Sequence, residues 1–503
     1  MMDANQSFCL YFYADALRQN VLVARTYSWS FLIYPDAAVR AQRGFMESGG
    51  RKTEAARPSG GMLRTALNPA IAGSCEAPVI TEAMLNPDGR SEVESPMSDR
   101  RGPRRRTAPP PIYHIRRMKL ETANPRNARA TLCNVIRSFT PNWFSVTMGT
   151  GALALALNQI PLPIPGLYEL AGSLWVLDVL LFALFTVTYA ARWIFFFDEA
   201  RQIVRHPVLS MFLGAIPMGL ATIINGLLIF GGGETAVWMA HGLWWLDVTM
   251  SVACGLLVPF LMFTLQDHSM EKMTAVWLLP IVAAEVAAVS GALLVPHLSP
   301  WEALSVLILC YALWAFSVPL AMSILVVLLL RLVLHKLPEP EMAASGWLAL
   351  GPIGTGALAL VLLGGDAPAV FAVAGLTDVG KVALGFGIIG GTMLWGYGAW
   401  WLLLAILKTA LYLRNGMPFN LGCWGFTFPL GVYSLATLAL ARATRLAFFS
   451  VIGSILVACL AALWLVVTVL TVVGAWDGHL LVAPSSPRGR AVNKAHRSPI
   501  SIA

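Results

Sequence analysis

From about Thr140 to Ala475, almost every window of about 20 residues is apolar, the length at which a helix crosses a bilayer. In hydrocarbon no water can satisfy backbone N–H and C=O groups, so such a chain must fold into helices or a closed barrel. Charged residues make up 12% of the 503 and hydrophobic residues 57%, whereas a soluble domain carries about 25% charged residues. The charges crowd into the two ends. The net charge of +8 therefore describes tails and loops and does not indicate nucleic-acid binding.

Within this apolar stretch one segment recurs. Gly149-Thr150-Gly151-Ala152-Leu153-Ala154-Leu155 returns as Gly354-Thr355-Gly356-Ala357-Leu358-Ala359-Leu360. Three weaker copies each carry a proline: Ile216-Pro217-Met218-Gly219, Leu279-Pro280-Ile281-Val282 and Phe428-Pro429-Leu430-Gly431. Aligning Gly149, Gly219, Val282, Gly354 and Gly431 gives spacings of 70, 63, 72 and 77 by subtraction. A period of about 70 residues is one pair of membrane helices with its loops.

Ten spans follow: 142–158, 173–195, 207–230, 236–265, 273–296, 302–331, 345–364, 380–411, 418–440 and 446–474. Lys and Arg concentrate before the first span, in the even loops and after the last span, for example Arg137, Arg192, Arg331, Lys408 and Arg490. The positive-inside rule then puts both termini in the cytoplasm. Arg442 and Arg445 are the exception, in a short outward loop, as headgroup anchors or as an anion-attracting outer mouth. Each hairpin starts and returns inside, so the repeats run parallel, unlike an inverted-repeat carrier. The expected fold is all-α and integral to the membrane: ten transmembrane helices as five parallel hairpins around a central pore.

Odd spans hold the small residues and prolines, which suit tight packing or a kink whose carbonyls line a cavity. Even spans are heavy with large residues suited to lipid, such as Leu180-Leu181-Phe182 and Trp400-Trp401-Leu402-Leu403. The expected pore-lining or kink positions are Val146, Thr147, Gly149, Ile216, Pro217, Gly219, Leu279, Pro280, Gly351, Pro352, Gly354, Pro429 and Gly431. The residues before the aligned prolines form one ring of Val146, Ile216, Leu279, Gly351 and Phe428, whose single aromatic would plug a narrow pore. Phe428 is the candidate gate, with core packing as the plainer alternative. No Lys or Arg lies deep in an odd span, so anions would pass without fixed charge. Glu285, inside the third odd span, is an intramembrane carboxylate and so a candidate proton carrier, or else a structural group. Asp178 and Asp247, on even spans, read as structural.

Phe139-Thr140-Pro141-Asn142-Trp143-Phe144 with Met148-Gly149-Thr150-Gly151, and Trp424-Gly425-Phe426-Thr427-Phe428-Pro429, resemble two motifs of the tellurite-resistance/dicarboxylate transporter family. That family includes slow-type anion channels, malate permeases and sulfite efflux pumps. The resemblance covers about residues 130–476. It implies a homotrimer with one five-hairpin pore per subunit, occluded by Phe428. Thr147 departs from the pattern, standing where the other repeats have proline.

The expected function is a plasma (inner) membrane permease for small inorganic or dicarboxylate anions, passing malate-like dicarboxylates or sulfite. The alternative is a passive channel for chloride or nitrate. An intramembrane enzyme lacks its reactive groups, since no HExxH and no inner-helix Ser/His pair is present; a receptor or sensor would carry no flux. The seven scattered cysteines have no metal-ligand or redox spacing, so no metal and no cofactor is expected. Residues 128–478 form the transport domain and residues 479–503 a basic cytoplasmic tail. Residues 1–127, with Arg100-Arg101-Gly102-Pro103-Arg104-Arg105-Arg106, have a disordered composition. They are either a polybasic arm on anionic lipid or an extension upstream of a true start at Met118.

Overall fold

The computed structural model describes residues 133–476 and Leu480. The basic extension 1–127, the alternative start at Met118 and the tail 479–503, apart from Leu480, lie outside the described residues. All elements among the described residues are helical. The ten principal ones are α1 (Phe144–Asn158), α2 (Leu167–Phe195), α3 (Ala215–Gly226), α4 (Gly233–Thr264), α5 (Leu279–Leu294), α6 (Pro300–His335), α7 (Leu350–Ala372), α8 (Thr377–Arg414), α9 (Thr427–Thr444) and α10 (Ala447–Trp476).

Nine of the ten helical stretches are long and apolar enough to cross a membrane among the described residues. The exception is the first, Pro141–Asn158, the shortest of the ten, whose α-helical part α1 has 15 residues, about 22 Å at 1.5 Å per residue against a hydrocarbon core of about 30 Å. A helix enclosed by protein need not match lipid thickness, and α1 is buried along nearly its whole length. Seven of the other nine run longer than the apolar windows suggested, up to 38 residues in α8.

Burial alternates along the chain. The apolar window of the stretch holding α5 is 94% buried, against 28% for α4 and 33% for α6. The even helices turn Leu180, Phe263, Val326 and Val382 outward, an apolar surface that suits lipid. The odd helices pack on one another in cyclic order: α1 on α3, α3 on α5, α5 on α7, α7 on α9 and α9 on α1. Each even helix touches the odd helix before it and the one after it. Small residues allow these contacts. A Cβ on Gly354 would stand 2.8 Å from the Tyr433 backbone nitrogen, and one on Gly431 would stand 2.8 Å from Ala152 Cβ. Lipid tails provide no hydrophobic drive between helices, so such close backbone approach supplies the packing.

Before each odd helix runs a 3-10 segment: Pro141–Trp143, Leu209–Gly214, Ala275–Leu278, Pro340–Ala349 and Leu421–Phe426. These lead-in segments also contact each other cyclically. Pro217, Pro280, Pro352 and Pro429 therefore fall in the first turn of their α-helices, where a missing N–H costs nothing. The prolines mark the change from 3-10 to α winding and do not kink a continuous helix.

Tryptophans on the even helices form a second repeat. The indole nitrogens donate from Trp244 to Ala287 O (2.9 Å), from Trp314 to Gly356 O (3.0 Å), from Trp395 to Thr437 Oγ1 (2.9 Å) and from Trp464 to Thr150 Oγ1 (3.1 Å). Each runs from an even helix to the next odd one, and the last closes from α10 onto α1. On α2, Trp175 lies against Gly226 of α3, where a Cβ would collide with its indole. The four bonded rings are structural pins; Trp401, 0% exposed, is packed inside as well, although its N–H, like that of Trp175, has no partner among the described residues. Their composition alone reads as lipid-facing, because a large aromatic suits either surface until its N–H finds a partner.

Toward the ends of the even helices and in the segment before α1, several arginines make fixed contacts. Arg331 donates to Glu271 O and to Lys336 O, and Arg192 to Phe139 O. Arg137 pairs with Glu199, and the hydrogen bond from Arg137 holds the Glu199 carboxyl below its usual range. A depressed carboxyl stabilises the fold above its ordinary pKa. That contribution is lost as pH falls through the lowered value.

Replacing Trp244 tests the pin directly. Trp244→Ala removes a fully buried ring and should lower stability by about 3–5 kcal/mol. Trp244→Phe, which loses the N–H but keeps an aromatic ring, should cost less. Thermal unfolding of the purified protein in detergent reads both; equal, small shifts would contradict the pin.

Candidate functional site

A cavity of about 140 Å3 lies where the five lead-in segments meet the heads of the odd helices. All five repeats contribute to its wall. Asn142, Ser145 and Met148 come from the first, Val208, Leu209 and Phe212 from the second, and Val276 and Leu279 from the third. Met342, Ala344, Ser345 and Leu348 come from the fourth, with the exposed Glu341. The fifth gives Asn420, Gly422, Trp424, Gly425, Phe428 and Pro429. Among the described residues of this wall Glu341 alone carries a charge, and no cation is present. A mostly apolar chamber without a cation holds an anion weakly and lets it leave.

Within the wall most polar groups are already engaged. Asn420 Oδ1 accepts from Gly422 N at 2.7 Å and its Nδ2 donates to Glu341 O at 2.9 Å, tying the fourth lead-in segment to the fifth. Ser345 donates to Met342 O at 2.6 Å, and Trp424 Nε1 to Thr471 Oγ1 at 2.9 Å.

The expected site residues divide into two groups. Leu279, Phe428 and Pro429 line the cavity. Val146, Ile216 and Gly351 occupy the first turns of α1, α3 and α7 but lie off its wall. Gly351 is buried, yet a Cβ there would meet nothing within 4 Å, so open space lies beside it. Thr147 donates to Phe144 O at 2.8 Å, and a Cβ on Gly219 would stand 2.6 Å from its Oγ1. Gly149 faces Thr427 and Trp424. Gly149, Gly219, Gly354 and Gly431 thus sit at helix contacts, and Pro217, Pro280 and Pro352 sit in buried first turns.

Phe428 is 5% exposed. No aromatic ring stacks on it among the described residues, whereas Phe144 is wedged among Phe182, Phe185 and Tyr189. Glu285 is 0% exposed, off the cavity wall, and neither carboxyl oxygen has a hydrogen-bond partner among the described residues. Asp247 is similarly enclosed, and Asp178 accepts from Thr222 Oγ1 at 2.8 Å. Sequence reasoning missed Asn142, Ser145, Ser345 and Asn420 as cavity residues. The only signal was their place just ahead of each repeat.

Residues 138–472 match the SLAC1 voltage-dependent anion channel family. The chain belongs to that family. It is 40% identical over 343 residues to a sulfite efflux pump of Trichophyton rubrum, covering 67% of this chain and 91% of the relative. It is 33% identical to an uncharacterized transporter of Methanocaldococcus jannaschii, over 60% of this chain and 83% of that one. A malic acid transport protein of Schizosaccharomyces pombe is 23% identical, over 69% and 81%. The family and these relatives are channels and transporters, not enzymes, and the chain is a multi-pass membrane protein that handles small anions.

The clasp at Asn420 is open to test. Asn420→Ala removes a cap on a 3-10 segment and a bond between lead-in segments, and should cost about 0.5–2 kcal/mol. A lowered melting temperature in detergent is the expected reading; an unchanged one would mean the cavity wall does not depend on it.

Proposed function

We propose that this family member is a plasma-membrane permease passing sulfite or a malate-like dicarboxylate through a pore at the centre of five parallel helical hairpins, gated by Phe428. The observation that carries this reading is the chamber to which all five repeats contribute, through their lead-in segments and the heads of α1, α5 and α9, with Phe428 and Leu279 in its wall. The cyclic contacts among the odd helices support a path along their common axis, and α1, though short, serves as the tenth span. A bulky ring without a stacking partner can rotate out of the way, as a gate must. Sulfite is favoured by the 40% identity to a sulfite efflux pump, and malate by the more distant malic acid transport protein. Both termini face the cytoplasm on the positive-inside pattern, which makes the chamber cytoplasmic. The homotrimer rests on the family resemblance, and the apolar outer faces of the even helices leave surface for both subunits and lipid.

A passive channel for chloride or nitrate is the second reading, favoured by the absence of a cation in the chamber wall. A proton-coupled carrier is favoured instead by Glu285, whose buried, unpartnered carboxyl is costly unless it takes up a proton.

Two substitutions decide between these. Phe428→Ala should raise anion flux in proteoliposomes by about tenfold or more while the protein stays folded, because a constriction is removed. If Phe428 is instead core packing, the loss is about 3–5 kcal/mol of stability with no gain in flux. Glu285→Gln should abolish uptake driven by a pH gradient and leave passive flux intact. Unchanged pH-driven uptake would remove Glu285 from the coupling.

A further inference from the structure

The cavity holds two polar groups with spare donors, and both come from one face of one segment. Asn142 and Ser145 are three residues apart across the change from 3-10 to α winding, so they share a side, and Met148 extends the same stripe. The Asn142 carbonyl oxygen accepts from the Thr140 hydroxyl. That contact leaves the amide nitrogen, with its two protons, no partner among the described residues. Ser145, 7% exposed, also has no hydrogen-bond partner among them. Every other polar side chain of the wall is spoken for, by Gly422, Glu341 O, Met342 O or Thr471, except the carboxylate of Glu341 itself.

We propose that the Asn142 amide and the Ser145 hydroxyl form an oxyanion-recognition site in the vestibule, selective for a small, singly charged oxyanion such as hydrogensulfite, with Thr140 as the residue that positions the amide. This rests on the pore reading above and adds the ligand class and the residues that choose it. An oxyanion offers several acceptor oxygens to a fixed pair of donors, whereas chloride is a sphere that gains less from their arrangement. Charge selects as well. The wall has no cation and has a carboxylate in Glu341. The cost of taking an ion out of water grows as the square of its charge, so a dianion costs about four times as much as a monoanion. Neutral donors offset part of the smaller cost and little of the larger one. Sulfite and malate would accordingly enter in their singly protonated forms.

The test uses the full-length protein in proteoliposomes, with hydrogensulfite and chloride as the two probes. Asn142→Leu keeps the branched shape and removes the donors. It should lower the hydrogensulfite-to-chloride flux ratio by about tenfold, a difference of about 1.4 kcal/mol, near the lower end for a hydrogen bond to a charged group. Asn142→Asp keeps the bond from Thr140 and replaces the donor by a carboxylate, and should lower hydrogensulfite flux further. Ser145→Ala and Thr140→Val should each lower the ratio by a smaller factor. At fixed total sulfite, wild-type flux should track the singly charged fraction as pH is varied. A ratio unchanged in Asn142→Leu, with chloride flux retained to show the protein is intact, would overturn the site. So would a wild-type flux that tracks the dianion. Phe428→Ala separates this site from the pore beneath it. The variant should raise both fluxes and keep the ratio, and failure to raise either would refute the pore reading itself.

Discussion

The structure depends on the indole bonds that join α4, α6, α8 and α10 each to the odd helix that follows it in the cycle. Hydrocarbon provides no hydrophobic force to hold helices together, so contact must come from close packing and from polar bonds made across the interface. Trp244, Trp314, Trp395 and Trp464 supply the bonds, with carbonyls or threonine hydroxyls as acceptors. Gly354, Gly431 and their neighbours supply the packing. The bond from Trp464 to Thr150 joins the last helix to the first and completes the cycle. Once the odd helices are enclosed in this way, their lead-in segments are shielded from lipid. Short 3-10 turns can then persist at membrane depth, because irregular backbone is tolerated there only inside protein or beside a cavity.

The cavity follows from that enclosure. Five lead-in segments converge, each wound more tightly than an α-helix, and the prolines set the point where α winding begins. The heads of α1, α5 and α9 then border the space, with Ser145, Leu279 and Phe428 in its wall. The chamber has many apolar groups, few free donors and no cation. Such a site favours passage over retention, as suits a protein whose relatives move anions across membranes.

Much of this was legible in the sequence. The duplicated Gly-Thr-Gly-Ala-Leu-Ala-Leu segment marked α1 and α7 as equivalents, and the small residues of the odd spans marked them as the buried set. Both signals survive because close backbone approach admits few residue types. The prolines were harder to read. Pro217 or Pro352 looks like a kink in a continuous apolar window, since hydropathy does not distinguish 3-10 from α winding. The tryptophans were read from bulk, and Trp401 and Trp244 prove buried, Trp244 because its indole N–H bonds Ala287 O on the next helix. Asn142 and Asn420 resemble ordinary loop residues until the folded chain brings five loops to one cavity.

In the proposed pore the chamber opens to the cytoplasm alone and Phe428 closes its far side. Cysteines placed at Ser145 and Leu279, in a chain whose own cysteines have been replaced, report this directly through a charged, membrane-impermeant thiol reagent. Reaction is expected from the cytoplasmic side alone while Phe428 is present, and from both sides after Phe428→Ala. Reaction from both sides with Phe428 in place, or from neither side in either protein, would contradict it.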